Sequence, residues 1–287
     1  MIIIENEFLK AAIDNKGAQL SSLINKETGK ELMWQGDAWP WHAPNLFPVV
    51  GQVTNSQILV DGKTYDMPPR HGFARTSDFL ILETNPTHAK FSLPWSEHTL
   101  AMYPFKYDFH IIYDLIDNAL RITYKVINLD RGTIYFSVGG HPAFNVPFNE
   151  GEQYEDYYLE FETEEPLEEH LLATDGFFSG ETKPLKLKDR TLPLTKDLFA
   201  NDALVFMHMK SRQITIRSHK HDESISVQFP HFPYLGIWAK PGADFVCIEP
   251  WLGHADIAGG PVEVKDKPGI QKLAHGHVFD ASYYISI

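Results

Sequence analysis

Between Phe109 and Val126 the chain alternates with a period of two and is interrupted once. Phe109, Ile111, Tyr113 and Leu115 fall on one side, with His110, Ile112 and Asp114 between them. After Asp117-Asn118, residues Leu120, Ile122, Tyr124 and Val126 resume the alternation against Arg121, Thr123 and Lys125. Successive side chains of a strand point to opposite faces, so this pattern buries one face of an extended chain and fits no helix. The short polar break marks the turn of a β-hairpin. Asp61-Gly62, between Ile58-Leu59-Val60 and Thr64-Tyr65, predicts a second hairpin.

Further strands are predicted over 18–24, 31–34, 91–95, 133–138, 157–163, 213–217, 224–229, 234–239, 245–248 and 282–287. Turn residues such as Thr28-Gly29-Lys30, Pro241-Gly242 and Pro268-Gly269 separate them. Helical patterning is scarce: 164–172 and 194–199 could each hold a turn or two, and 148–156 reads as a loop. Many short strands at regular spacing predict an all-β chain, a large antiparallel β-sandwich or barrel. No fixed-period repeat and no low-complexity linker divides the chain, so residues 1–287 are expected to form one domain.

The chain carries 25 basic and 38 acidic residues, a net charge of −13. Such a surface repels phosphate backbones and anionic lipid, so neither nucleic acid nor membrane is an expected partner. A neutral small molecule is compatible; a phosphorylated one needs a local basic pocket. The one cysteine, Cys247, excludes an intrachain disulfide and fits a reducing compartment. Residues 1–4 are apolar but Glu5 follows at once, short of the roughly 7–15 apolar residues of a signal peptide. The expected location is the cytoplasm. There is no Gly-x-Gly-x-x-Gly, Walker loop or Gly-x-Ser-x-Gly, which counts against nucleotide use and serine hydrolysis. His219-Lys220-His221 and His275-Gly276-His277 lack the partner spacing of a recognisable metal site.

Three segments set ionisable residues among glycine, proline and aromatics at expected strand ends. They are 69–75 (Pro-Arg-His-Gly-Phe-Ala-Arg), 139–147 (Gly-Gly-His-Pro-Ala-Phe-Asn-Val-Pro) and 247–253 (Cys-Ile-Glu-Pro-Trp-Leu-Gly). In the second, Pro142 cannot donate to a ladder, so His141 is presented where pairing stops. Its imidazole titrates near neutrality and suits proton transfer. In the third, Glu249 is expected at the end of the apolar strand 245–248, beside Trp251. Partial desolvation there would raise its pKa and make it a better base. In the first, Arg70 and Arg75 can anchor a hydroxyl or a phosphate, and His71 before Gly72 repeats the His141 setting. Cys247 continues an apolar strand pattern and is expected to be a buried, inert thiol. Of Trp39, Trp41, Phe47, Phe73, Phe144 and Trp251, one or two are expected to stack on a ligand and the rest to fill the core.

At these segments the sequence resembles the galactose mutarotase-like superfamily, and within it the LacX-like branch of aldose 1-epimerases. The Ile58–Tyr65 hairpin, His-Gly-Phe-Ala-Arg, Gly-His-Pro-Ala-Phe-Asn, Asn201-Asp202 and Ile-Glu-Pro-Trp follow in that family's order over nearly the whole chain. The resemblance implies a large antiparallel supersandwich with an open cleft, and cofactor-free interconversion of the α and β anomers of a hexose. It implies His141 as general acid, Glu249 as general base, His71 at the ring oxygen and Asp202 on the sugar hydroxyls. The stretch 50–55 carries Gln52 but no arginine, whereas typical galactose mutarotases have one there, so a different sugar preference is expected. His-Gly-Phe-Ala-Arg also occurs in the glucose-6-phosphate 1-epimerase branch, where basic residues face the phosphate. Here 41–45 lacks that branch's further arginine, which favours an unphosphorylated aldose.

Three other functions make different demands. A phosphosugar epimerase needs a second cation joining Arg75 in the cleft. A non-catalytic carbohydrate-binding protein leaves His141 and Glu249 apart. A hydrolase wants two carboxylates flanking the scissile bond, and Glu249 and Asp202 are the available pair.

Overall fold

The computed structural model describes residues 1–173 and 175–287. The 109–126 pattern forms the long hairpin it predicts, Tyr107–Ile116 against Ala119–Asn128, with Ile116 opposite Ala119 and Asp117 in the left-handed region at φ 49°. This hairpin lies within a nine-stranded antiparallel sheet. Its order is Thr191–Pro193, Tyr157–Phe161, Gln213–Ser218, Ser224–Gln228, Val278–Ser286, Ala119–Asn128, Tyr107–Ile116, His88–Pro94 and Leu80–Asn85.

A second antiparallel sheet runs Phe178–Leu185, Leu167–Leu172, Leu204–Met207, Tyr234–Trp238, Phe245–Leu252, Val138–Gly140 and Asn45–Leu46, and Ala143–Asn145 also pairs with Phe245–Leu252. Phe47 stacks on Phe109 at 4.3 Å and Phe206 meets Phe161 edge-on, so one apolar core joins the two sheets in a β-sandwich. Two tyrosine hydroxyls enter that core and are satisfied by Asn45 and the Ala18 carbonyl. Tyr124 donates to its Oδ1 at 2.8 Å, while Tyr113 donates to the Ala18 carbonyl at 2.7 Å, which also accepts from Asn45 Nδ2. Buried hydroxyls left unpaired would each cost about 1–3 kcal/mol.

Several expectations are corrected. The strand predicted to end at Ile248 continues through Glu249 and Pro250 to Leu252. Pro250 is tolerated because it sits in a gap in the ladder: the neighbouring pairing stops at Gly139–Trp251 and resumes at Ala143–Cys247. The stretch 164–172 holds no helix; Leu167–Leu172 is a strand. Its alternation is masked because a core-facing position is taken by Glu169, which is 6% exposed and pairs with Lys183 at 3.1 Å. The stretch 194–199 forms turns, 31–34 makes only isolated bridges, and 133–138 splits into Ile134–Phe136 and the start of Val138–Gly140. An unexpected helix, Glu97–Met102, begins at a capping box in which Ser96 and Thr99 satisfy each other's backbone. Among the described residues no helix is long and apolar enough to cross a membrane.

Glycine is required beside the long central strand. A Cβ on Gly139 would lie 2.6 Å from Trp251 Cδ1 and 2.9 Å from the Pro250 carbonyl oxygen, and one on Gly236 would lie 2.5 Å from the same indole. The Trp251 ring therefore fits only between two glycines. Gly139→Ala is expected to lower the unfolding free energy by about 1–3 kcal/mol, as overpacking does. Gly132→Ala, where a Cβ meets nothing within 4 Å, should stay within about 0.5 kcal/mol. Urea titration of both variants checks this; equal midpoints would contradict the packing argument.

Candidate active site

Strand register brings the ionisable groups together. The segment 138–145 runs antiparallel to Phe245–Leu252, with Val138 opposite Leu252, Gly139 opposite Trp251, Ala143 opposite Cys247 and Phe144 opposite Val246. The same register on both sides of the break sets His141 across from Glu249. Residues Cys247, Glu249 and Trp251 share one face of their strand. On the other flank Gly236 is the partner of Glu249 and Trp238 that of Cys247. With no side chain at Gly236, the Trp251 indole packs over it and becomes a wall beside the carboxylate.

Beside the pair lies a cavity of about 220 Å³. All five residues singled out in the sequence line it: His141, Glu249, His71, Asp202 and Arg75. Arg70, Gln52, Trp39, Trp238 and Trp251 complete the polar and aromatic walls, and Leu172, Phe178 and Val205 close an apolar side. Trp39 stacks on the His141 imidazole at 4.9 Å and Trp238 meets it edge-on at 5.9 Å. Trp238 and the apolar wall were not legible beforehand. The cross-strand partner of Cys247 would have pointed to Trp238, but register is not written in composition.

His141 Nε2 lies 3.1 Å from Glu249 Oε2, and both side chains are buried, 9% and 2% exposed. Burial, then the charge of Arg75, pushes the imidazole down to about 3. Burial, then the charge of Asp202, pushes the Glu249 carboxyl well above its ordinary value, opposed by the Trp251 indole and Arg70. Trp251 Nε1 approaches the carboxyl without reaching hydrogen-bond geometry. A low dielectric thus disfavours charge on both partners.

His71 is fixed by its backbone. It sits at φ 65° and is followed by Gly72, where a Cβ would lie 2.3 Å from the Phe47 carbonyl oxygen. The Gly51 N–H donates to His71 Nδ1 at 3.1 Å. A neutral ring accepting there carries its proton on Nε2, so His71 offers a donor. Burial, then His141, holds this imidazole well below 6.5, so it stays neutral.

Two guanidiniums face the same space. Arg70 Nε donates to Gln52 Oε1 at 3.2 Å; Arg75 donates to the Arg70 carbonyl at 3.1 Å and lies over Trp41, 5.3 Å from the ring centre. Among the described residues, neither pairs with a carboxylate within 4.0 Å. The second cation required by a phosphorylated ligand is thus present, as Arg70. Asp202 has the strained φ of 99° and accepts from the Ala203 N–H, which aims the carboxylate from a turn before the Leu204–Met207 strand.

Comparison with known proteins shows the family of the chain. The model of the aldose 1-epimerase family matches residues 1–267. Protein LacX (chromosomal) of Lactococcus lactis is 33% identical over 304 aligned residues, covering 100% of this chain and 99% of that one. A galactose mutarotase-related enzyme of Lactobacillus acidophilus superposes with a TM-score of 0.93 at 32% identity, covering 99% of this chain and 96% of that one. A galactose mutarotase-like protein of Lactobacillus casei superposes with a TM-score of 0.93 at 34% identity, over 100% and 99% of the two chains. This chain belongs to the aldose 1-epimerase family.

Proposed function

We propose that this protein is a cytoplasmic aldose 1-epimerase that interconverts the α and β anomers of a hexose by acid–base opening and closure of the ring. The observation that carries the reading is the buried His141–Glu249 pair, 3.1 Å apart at the cavity floor. Ring opening needs a base to take the proton from the C1 hydroxyl and an acid to protonate the ring oxygen, so that the C1–O5 bond breaks. Rotation about C1–C2 and closure on the other face run the two transfers backwards. Each group must therefore serve as acid in one direction and base in the other.

A pair sharing one proton suits that demand. Carboxyl with neutral imidazole, and carboxylate with imidazolium, hold the same number of protons. Only the second has Glu249 ready as base and His141 as acid. Burial favours the first at rest; a polar sugar entering between the partners supports the second. His71 Nε2–H is the donor for the ring oxygen or a neighbouring hydroxyl, Asp202 accepts from hydroxyls, and Trp39 or Trp238 covers an apolar sugar face.

A second reading, a phosphorylated hexose, is favoured by one specific observation: Arg70 joins Arg75 in the cavity and neither is neutralised by a carboxylate. Polarimetry of fresh α-glucose, α-galactose and glucose 6-phosphate separates the two. If the phosphosugar is the substrate, Arg70→Ala raises its KM at least about tenfold, the weight of a charge-assisted contact, and leaves any turnover of free sugar unchanged. Equal effects on both sugars would exclude an anion-binding role.

Glu249→Gln and His141→Asn should each lower kcat by about 10²–10⁴-fold, the usual share of one positioned acid or base, with unchanged circular dichroism. Wild-type turnover in either folded variant would remove that residue from the mechanism. The pH dependence follows from the shifts. Activity falls when the pair gains a second proton, near His141's value of about 3, or loses its shared proton, above Glu249's raised value. The expected kcat/KM profile has its acid limb near 3 and its basic limb displaced upward from 4.5; an acid limb at 6.5 or a basic limb at 4.5, the ordinary values, would contradict it.

Stability responds to the same groups. A carboxyl whose pKa is raised on folding contributes stability that is whole below 4.5 and is lost as pH rises through its folded value. Glu249→Gln removes that loss. Its urea midpoint should exceed that of the wild type at about pH 8 and converge with it near pH 4.5. A deficit that grows with pH would reverse the assignment.

A further inference from the structure

Cys247 lies outside the chemistry just described, yet it shares the cavity-side face of its strand with Glu249, two residues on. One ligand atom each of His141, Cys247 and Glu249 lie within 4.8 Å of one another, and all three residues are buried. The thiol is fully enclosed, and Trp238 is its cross-strand partner. A Sγ, an imidazole nitrogen and a carboxylate oxygen form a mixed soft and borderline donor set. Zinc selects such donors over magnesium or calcium, which take oxygen ligands.

The pair itself offers a second, independent observation. Glu249 Oε2 is buried and has no hydrogen-bond partner, although His141 Nε2 stands 3.1 Å away. The two atoms converge without aligning as donor and acceptor. In a tetrahedral zinc site with bonds near 2.0–2.1 Å, two such ligands stand about 3.3 Å apart. The observed spacing therefore already fits two ligands of one ion. Cys247 Sγ would have to close by about 1 Å, within reach of a small side-chain rotation.

We infer that His141, Cys247 and Glu249 form an inhibitory site for a thiophilic divalent cation, with zinc as the type, that locks the acid–base pair. The ion takes the Cys247 sulfur as thiolate and releases its proton to solvent. It also takes both lone pairs through which His141 and Glu249 handle the shared proton, and that proton leaves as well. Thiolate and carboxylate together balance the dication. Its fourth position is left to water. The binding claim rests only on the donor geometry; the inhibition claim rests also on the epimerase reading.

Cobalt(II) titration of the full chain tests binding by itself. A thiolate-to-cobalt charge-transfer band should grow to one equivalent, collapse on adding zinc and be missing in Cys247→Ser, with Cys247→Ala as the replacement if serine prevents folding. A cobalt spectrum with no thiolate band, or the same spectrum in the cysteine variant, overturns the site. Zinc should also slow anomer equilibration competitively with sugar. The cysteine variant should keep wild-type turnover and need at least tenfold more zinc for half inhibition. Equal zinc sensitivity of wild type and variant overturns the inhibitory role, and a protein with no epimerase activity still answers through its cobalt spectrum.

Discussion

The site depends on one strand register. Because 138–145 meets Phe245–Leu252 in the same antiparallel alignment on both sides of a three-residue break, an imidazole and a carboxyl far apart in the chain face each other. The break is as important as the register. Pro142 and Pro250 both lack the N–H a continuous ladder would need, and the ladder is interrupted where they lie. His141 is thereby freed from the sheet while its neighbours remain pinned to it. Gly236, opposite Glu249 on the other side, leaves the space that the Trp251 indole fills.

Holding those groups out of water works against stability. A buried ion pair gains little net energy, and a buried group whose partner is removed costs about 3–5 kcal/mol. Here burial and the neighbouring charges Arg75 and Asp202 push both partners towards neutrality, which lowers that cost. The sandwich supplies what the site gives up. Its core runs without interruption between the sheets, and the hydroxyls of Tyr113 and Tyr124 are satisfied by hydrogen bonds to the Ala18 carbonyl and to Asn45.

Local pattern carried much of this. The hairpins were legible because one face of each is apolar and the turns are Asp-Gly and Asp-Asn. The candidate residues His71, Arg75, His141 and Glu249 were legible because glycine, proline and ionisable side chains rarely crowd together without a constraint, whereas Asp202 entered only through the family resemblance. The illegible parts have physical reasons. Glu169 occupies a core position as half of an ion pair, so Leu167–Leu172 does not read as a strand. Trp238 and Phe178 reach the cavity only through pairings set by the whole sheet. Arg70 was visible as a candidate, but its place beside Arg75, which revives the phosphosugar reading, needed the turn that Gly72 makes at φ 67°.

The central claim is that His141 and Glu249 act as one proton-sharing unit. The most direct measurement is exchange NMR of the anomeric protons at equilibrium, comparing the double variant His141→Asn/Glu249→Gln with each single variant. Residues that act as a unit are strongly non-additive. The account predicts that the double variant is no slower than the slower single variant. Losses that multiply would show two independent groups and contradict it.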